Sequence, residues 1–303
     1  MERADIDALL QRFDQAAIAD GNPRTRAIVN RLLRELFYTI EDFDIQPSEF
    51  WSAVELLAEA GRSGELGLIV PGLGLEHYLD LRADEAERRA GLSGGTPRTI
   101  EGPLYVAGAP LCECEARLDD GKDDGEPLFM RGQVRDDAGQ PVPHALVEVW
   151  HANSLGNYSY FDKTQSDFNL RRSIRTDAQG RYRFRSIMPC GYSVPPQGAT
   201  DRLLEQLGRH GHRPAHVHFF VSAPGFRKLT TQINIQDDPY LWDDFAFGSR
   251  EGLVPDIERV SAPEELRHSG VSKPFARIEF NFTLHRAAAP APSSEVSRAR
   301  AQA

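Results

Sequence analysis

Two histidines one residue apart, His216 and His218, carry the first chemical signal in this sequence. They sit in an apolar run, Ala215 to Ser222, that reads as a strand. Side chains two apart on a strand leave the same face, so two imidazoles would converge on one point, as a metal requires. Paired histidines are also common as structural residues, and the spacing alone is weak evidence. Zinc would ask for a third His, Cys, Asp or Glu, and a 2-His-1-carboxylate iron(II) site for a nearby acid. Neither has an obvious candidate beside the pair. What the region does supply is tyrosine: Tyr158, Tyr160, Tyr182 and Tyr192. A phenol titrates near about 10 and is a poor ligand at neutral pH unless a strong Lewis acid stabilises the phenolate. Fe(III) is hard and trivalent, and two phenolates with one hydroxide would neutralise it in a partly buried site. The residues alone do not choose between Tyr158 and Tyr160. His210 and His212 repeat the spacing in a Gly- and Arg-rich loop and are set outside the site. Cys112 and Cys114 form a C-x-C pair with no second pair to complete a soft-metal site.

The elements that must position these groups show two periodicities. The first ~95 residues read as helix. Ile6, Leu9, Leu10, Phe13 and Ala17 share one face. After the Gly21-Asn22-Pro23 break, Ile28, Leu32, Leu33, Leu36, Phe37 and Ile40 make a longer stripe. Pro47 suits the start of a third helix bearing Trp51, Val54, Leu57 and Ala58. A fourth should run from near Glu65 to Ala83, weakened by Pro71 and its neighbouring glycines. Beyond about residue 103 come short runs of β-formers: Leu128 to Arg135, Ala145 to His151, Arg181 to Met188, Ala215 to Ser222, Leu229 to Ile235 and Ala276 to Leu284. Turn signals separate them, and many short strands without helical patterns between them suggest an antiparallel sandwich. The expected class is α+β: a helical N-terminal domain over residues 1–100, a β-sandwich catalytic domain over 101–286, and a flexible tail over 287–303 rich in Ala, Pro, Ser and Arg. Packing within the protein explains most of the helical stripes, and a symmetric dimer contact would cover what remains.

Composition narrows the partners. Thirty-five basic against 45 acidic residues give a net charge of −10, which repels phosphate backbones and argues against nucleic acid. No apolar run has the length of a membrane span, and the first ten residues lack signal-peptide organisation, so the cytoplasm is the expected location. Three cysteines, with Cys190 the third, are too few and odd in number for a disulfide framework.

Longer motifs carry a resemblance. Gly132-Gln133-Val134, Gly139, Val142, Val147-Glu148-Val149 and Gly156-Asn157-Tyr158 resemble the signature of the intradiol ring-cleavage dioxygenases. So do Trp150-His151-Ala152-Asn153, Asp167-Phe168-Asn169-Leu170-Arg171 and Leu207-Gly208-Arg209-His210-Gly211. Arg213-Pro214-Ala215-His216-Val217-His218-Phe219 and Leu229-Thr230-Thr231-Gln232-Ile233-Asn234 agree too. In the first half, Gly72 to Asp80 and Thr99 to Tyr105 match as well, so the similarity runs to about Leu284. The resemblance implies an enzyme that opens catechol to cis,cis-muconate in aromatic catabolism, within the beta-ketoadipate pathway. Hydroxyquinol and chlorocatechols are the alternative substrates, and a non-enzymatic ligand-binding sandwich is the alternative class.

The resemblance implies one Fe(III) per chain on Tyr158, Tyr192, His216 and His218. It implies catalytic parts for Arg213, Tyr192 and Gln232, with Tyr192 the ligand that departs when substrate binds. It implies a pocket lined by Leu68, Pro71, Ile100 and Phe245. It also implies catechol and O2 as substrates, and a homodimer through the N-terminal helices with a phospholipid at that contact. One departure lies beside the site: Pro189-Cys190-Gly191-Tyr192-Ser193 has Ser193 where the family usually has Gly.

Overall fold

This computed structural model describes residues 1–15, 21–92 and 94–287, together with the backbone of 301–302. Five helices open the chain: α1 (Arg3–Gln15), α2 (Pro23–Asp42), α3 (Pro47–Ser63), α4 (Leu66–Gly72) and α5 (Leu75–Arg89). The strands follow as β1 (Val106–Ala107), β2 (Leu111–Glu113), β3 (Glu115–Arg117), β4 (Pro127–Asp136), β5 (Leu146–His151), β6 (Arg171–Arg175), β7 (Arg181–Ile187) and β8 (Tyr192–Ser193). Then come α6 (Ala199–Gln206), β9 (His212–Arg213), β10 (His216–Ser222), β11 (Leu229–Asn234), β12 (Glu258–Val260), α7 (Pro263–His268), β13 (Phe275–Glu279), β14 (Phe282–Leu284) and β15 (Ala301–Gln302). Ala17 of the first stripe, and the expected tail beyond 287 apart from β15, lie outside the described residues.

Packing groups the chain into Met1–Ser63 and Gly64–Ala303. In the first unit, Asn22 caps α2 by accepting from the Arg24 and Thr25 amides, and Pro23 opens the helix. Ile6 and Leu10 of α1 are buried, and Asp7 accepts from Arg34 Nε (3.0 Å) and Tyr38 Oη (3.1 Å) of α2. No residue of α2 is buried: Ile28, Leu32 and Leu36 of its apolar stripe are exposed, as are Trp51 and Leu57 on α3. The fourth expected helix is two helices, because Gly74 takes a left-handed φ of 74° that ends α4 and starts α5. Both are grouped with the β unit although their periodicity is helical.

That unit is a sandwich of a five-stranded sheet, ordered β11-β10-β5-β6-β2, and a six-stranded sheet with the path β12-β13-β4-β7-β3 and β14 on β4. The expectation of antiparallel pairing holds for most strand pairs of these two sheets and fails for four, and β1 and β15, outside them, also pair in parallel. β2 on β6, β3 on β7, and β13 and β14 on β4 run parallel. The run expected as one strand from Ala276 to Leu284 divides into β13 and β14. Between the sheets lie Val147, Val149, Val217, Phe219 and Val221 from one side and Leu128, Met130, Val134, Phe184 and Ile278 from the other. In β10 the odd residues fill this core, so His216, His218 and Phe220 leave by the outer face. Those three residues are buried as well, so the outer face of β10 is itself covered.

Candidate metal centre

The register of β10 sets the first two groups. His218 stands opposite Gln232 on β11 and Trp150 on β5, and His216 opposite Asn234. Trp150 stacks flat on the His218 ring at 4.9 Å and 6°. Pro214 O lies 2.6 Å from His216 Nδ1, which places the proton there and leaves Nε2 as the free donor atom. The two Nε2 atoms face each other at 3.0 Å.

Tyr158 reaches the same place from the loop after β5, and Tyr192 from β8. Their rings meet edge-on at 5.6 Å, and Tyr192 lies 5.6 Å from the His216 ring. Gly156 makes this approach possible: at φ 83°, a Cβ there would sit 3.0 Å from Gly191 O and from Tyr192 Cβ. The other two tyrosines go elsewhere. Tyr182 donates to Phe280 O (2.9 Å), and Tyr160 packs on Phe161 and Lys163. Side-chain placement thus separates Tyr158 from Tyr160, which spacing did not.

Arg213 pairs with Tyr192 across β8 and β9. Its Nη1 lies 3.5 Å from Tyr192 Oη and 3.1 Å from His216 Nε2. Its other nitrogens are held: Nη2 donates to Gln232 Oε1 (2.9 Å) and Asp244 Oδ2 (3.0 Å), and Nε to Asp244 Oδ1 (3.1 Å). Asp244 also accepts from the Ala246 and Gly248 amides, so both its oxygens are engaged. The sequence offered no acid beside the histidines; Asp244 is that acid, and it serves Arg213. No periodic pattern marks it within Trp242-Asp243-Asp244-Phe245. The available signal was Arg213 itself, since a guanidinium drawn into a buried site needs a carboxylate.

These contacts set the protonation states. Burial opposes the Arg213 charge, but Asp244 outweighs it and holds the guanidinium above its ordinary value. Burial, then Arg213, presses His216 down to about 3, and burial, then His216, presses His218 well below the ordinary imidazole value. Both imidazoles are therefore neutral at neutral pH, the form in which a histidine can bind a metal. Burial and the neighbouring Tyr192 push the Tyr158 phenol well above 10. Tyr158 Oη is buried with no hydrogen-bond partner. Among the described residues no three His, Cys, Asp or Glu side chains converge to hold a metal. The donor set that does converge is two neutral imidazoles and two phenols, one of them orphaned. It fits a hard, highly charged cation able to ionise buried phenols, as Fe(III) is.

A third buried histidine gives a pH prediction. His151 places Nδ1 2.7 Å from Ala152 O and Nε2 2.7 Å from Ser186 Oγ, and burial lowers it from 6.5 to about 4. Between those values the unfolded chain binds a proton that the folded chain refuses. Its stabilisation, on the order of 3 kcal/mol, is complete above about pH 6.5 and is lost as pH falls toward 4. Urea unfolding at about pH 7 and about pH 5 should show a smaller loss for His151→Gln than for the wild type. Equal losses would remove His151 as the cause.

The expected pocket residues group among themselves, and Phe245 links them to the site by following Asp244 in the chain. Ile100 and Phe245 share an apolar group with Val194 and Leu204, and Leu68 packs against it. Pro71 is buried in α4, one residue before Gly72, where a Cβ would lie 3.3 Å from the Phe245 ring. Arg209 ties these parts together, donating to Gly72 O (2.6 Å) and Phe245 O (2.9 Å). Ser193 Oγ lies 2.5 Å from His212 Nδ1, whose ring stacks on Tyr240 at 4.4 Å. His210 and His212 thus belong to β9 and the loop leading into it, beside the site. Cys190 is exposed, and all three cysteines are free.

Comparison with known proteins agrees in sequence and in fold. A family described as "Dioxygenase" matches residues 100–286, and one described as "Catechol dioxygenase N terminus" matches 22–91. Catechol 1,2-dioxygenase 2 of Acinetobacter lwoffii is 70% identical over 86% of this chain and 94% of its own. Catechol 1,2-dioxygenase of Acinetobacter guillouiae is 56% identical over 94% of each chain. The wild-type crystal structure of Acinetobacter radioresistens catechol 1,2 dioxygenase superposes with a TM-score of 0.96 at 56% identity, covering 100% of this chain and 99% of that one.

Proposed function

The chain belongs to the intradiol ring-cleavage dioxygenases, and from that premise we propose that it opens catechol with O2 at a non-haem Fe(III) to give cis,cis-muconate. The observation that carries the reading is the convergence of Tyr158, Tyr192, His216 and His218 in one buried cluster. These four are the proposed iron ligands, one iron per chain. Bound ferric iron supplies the Lewis acidity that ionises catechol and the electron withdrawal that opens its ring to O2.

The chain's own residues divide the remaining work. Tyr192 is half-buried and Tyr158 is buried, so Tyr192 is the phenol free to leave. With iron held by these four residues, the departing Tyr192 Oη would accept one of the two catechol protons, and the other would pass to hydroxide displaced by the substrate. Arg213 Nη1 lies within reach of Tyr192 Oη and stabilises negative charge developing on the substrate. Gln232 and Asp244 fix the plane of that guanidinium. Leu68, Pro71, Ile100 and Phe245 enclose the ring and exclude water.

Oxygen uptake with catechol, together with metal analysis and a visible spectrum of the purified protein, tests the assignment. One iron per chain, a red colour from tyrosinate-to-iron charge transfer and O2 consumed in proportion to catechol are expected. A colourless, iron-free and fully active protein sinks it. The apolar pocket also sets a substrate order. Hydroxyquinol would bury a third hydroxyl without a partner, at a cost of about 1–3 kcal/mol. A methyl or chlorine meets a steric limit instead, a weaker discriminator. Catechol is expected first, 4-methylcatechol next, chlorocatechols lower and hydroxyquinol poor. Leu68→Ala should raise relative activity on the substituted rings. A preference for hydroxyquinol in kcat/KM would overturn the order and leave the intradiol chemistry standing.

The exposed apolar residues of α2 and α3 support a homodimer through these helices, with a phospholipid held at the contact. Light scattering at micromolar concentration should give twice the chain mass, and a native mass spectrum an added lipid. A monomer, or a lipid-free spectrum, counts against the respective part. Three free thiols suit a reducing compartment, and the proposed location is the cytoplasm.

A further inference from the structure

The helix that carries two of the expected pocket residues is fastened at both ends to α6 and the turn after it. α4 carries Leu68 and Pro71. Leu68 packs against the apolar group that Leu204 of α6 shares with Ile100 and Phe245. At the start of α4, Glu65 O accepts from the Leu68 and Ile69 amides at 2.8 and 3.1 Å. The side chain of the same residue reaches α6, where Oε1 accepts from Ala199 N (3.3 Å) and Oε2 from Thr200 N (2.9 Å). At the far end of α4, Gly72 O accepts from Arg209, three residues past α6.

Gly198 shows how the first of these contacts is accommodated. The first amides of a helix have no partner within it, and the N-cap side chain ordinarily supplies one. α6 has glycine at that position and no side chain to offer. A carboxylate 134 positions earlier takes its place, at the helix end whose dipole favours negative charge. A Cβ on Gly198 would lie 2.6 and 2.8 Å from the two Glu65 oxygens, so the carboxylate fills the space a side chain would need. Glu65, Ala199 and Thr200 are all buried. In the chain α6 lies between β8 and β9, the strands that carry Tyr192 and Arg213. Fastening α4 to α6 therefore ties the apolar wall to the segment that bears the polar groups of the site.

We propose that Glu65 is a positioning residue for substrate choice: with Arg209 it holds α4 against α6, and that hold sets the width of the pocket beside Leu68 and Pro71. The proposal rests on the catechol reading above and adds to it, because the lining side chains alone do not fix how far their helix stands from the ring. With the carboxylate in place, the pocket fits an unsubstituted ring. With it displaced, α4 loses the fastening at its N-terminal end, and room opens for a ring substituent although every lining residue is unchanged.

The test compares kcat/KM for 4-methylcatechol and catechol in the iron-loaded protein. Glu65→Gln keeps the shape of the side chain but can face only one of the two amides with an oxygen. Gly198→Ala leaves Glu65 in the chain and drives its carboxylate off the helix end, at a φ of −68° that alanine adopts freely. Both variants should raise the ratio of 4-methylcatechol to catechol roughly threefold or more, within what room for one methylene allows. The change should appear as a lower KM for the substituted ring, with iron content and the tyrosinate band as in the wild type. Asp201→Asn is the control, since Asp201 accepts from Gln197 N at 2.8 Å, a contact confined to the loop before α6. Its ratio should match the wild type. A wild-type ratio in Glu65→Gln or Gly198→Ala, or an equal rise in Asp201→Asn, would make the contact a general support of α6 and end the proposal. If Glu65→Gln does not fold, Gly198→Ala decides. An iron-loaded wild type that leaves catechol intact would instead overturn the catechol reading itself.

Discussion

Replacing either His216 or His218 by Ala should strip the protein of iron and of activity together. The two Nε2 atoms face each other at 3.0 Å, so Ala at either position removes one of the two imidazole donors at that point. Loss of groups that only support a ligand already costs 10–100-fold in metal affinity, so loss of the ligand itself should cost at least about 100-fold. Dialysis against a chelator followed by metal analysis reads this directly. His210→Ala is the control: its ring lies with His212 and Tyr240 beside the site, and its iron content should match the wild type. A His218→Ala protein holding one iron per chain would remove His218 from the ligand set.

Asp244→Ala is expected to be the most damaging change to stability near the site. The pair it forms with Arg213 is almost wholly buried, with side chains 4% and 1% exposed. Removing the carboxylate strands a guanidinium and frees two backbone amides. Breaking such a pair costs about 3–5 kcal/mol, which for a unit of this size corresponds to roughly 10 °C in Tm. Urea and thermal unfolding measure the loss. The double replacement Arg213→Met with Asp244→Leu removes both charges, and it should recover most of the stability while turnover stays low. A single mutant within about 1 kcal/mol of wild type would mean that the charge of Arg213 is met elsewhere.

The histidine pair and the strand bearing it were legible because both depend on a local rule, alternation along an extended chain. The five longest strands carried the same signal. Arg213 and Gln232 entered by resemblance, and cross-strand register then brought them together, Gln232 opposite His218 and Arg213 opposite Tyr192. Asp244 was not recognised as a site residue, because its role lies in a charge balance with Arg213 from another segment of the chain. The short strands β2, β3, β8 and β9 were missed for a related reason. Two or three residues carry no period, and their partners across the sheet decide that they are strands. The single helix expected from Glu65 to Ala83 failed at Gly74, where one backbone angle outweighs the apolar pattern on either side.

The parallel seam in the six-stranded sheet has a consequence for how this protein is made. β4 is bordered on one side by β13 and β14, and Arg131 meets Glu279 across a sequence separation of 148. Contacts that distant form late, because a long loop must close before they repay its entropy. During synthesis, β4 leaves the ribosome long before its neighbours exist, with hydrogen-bonding groups and the apolar side chains of Leu128, Met130 and Val134 open to other nascent chains. A message truncated just before codon 275 would encode every proposed iron ligand yet leave that edge permanently bare. Such a product should be a target for chaperones and proteases.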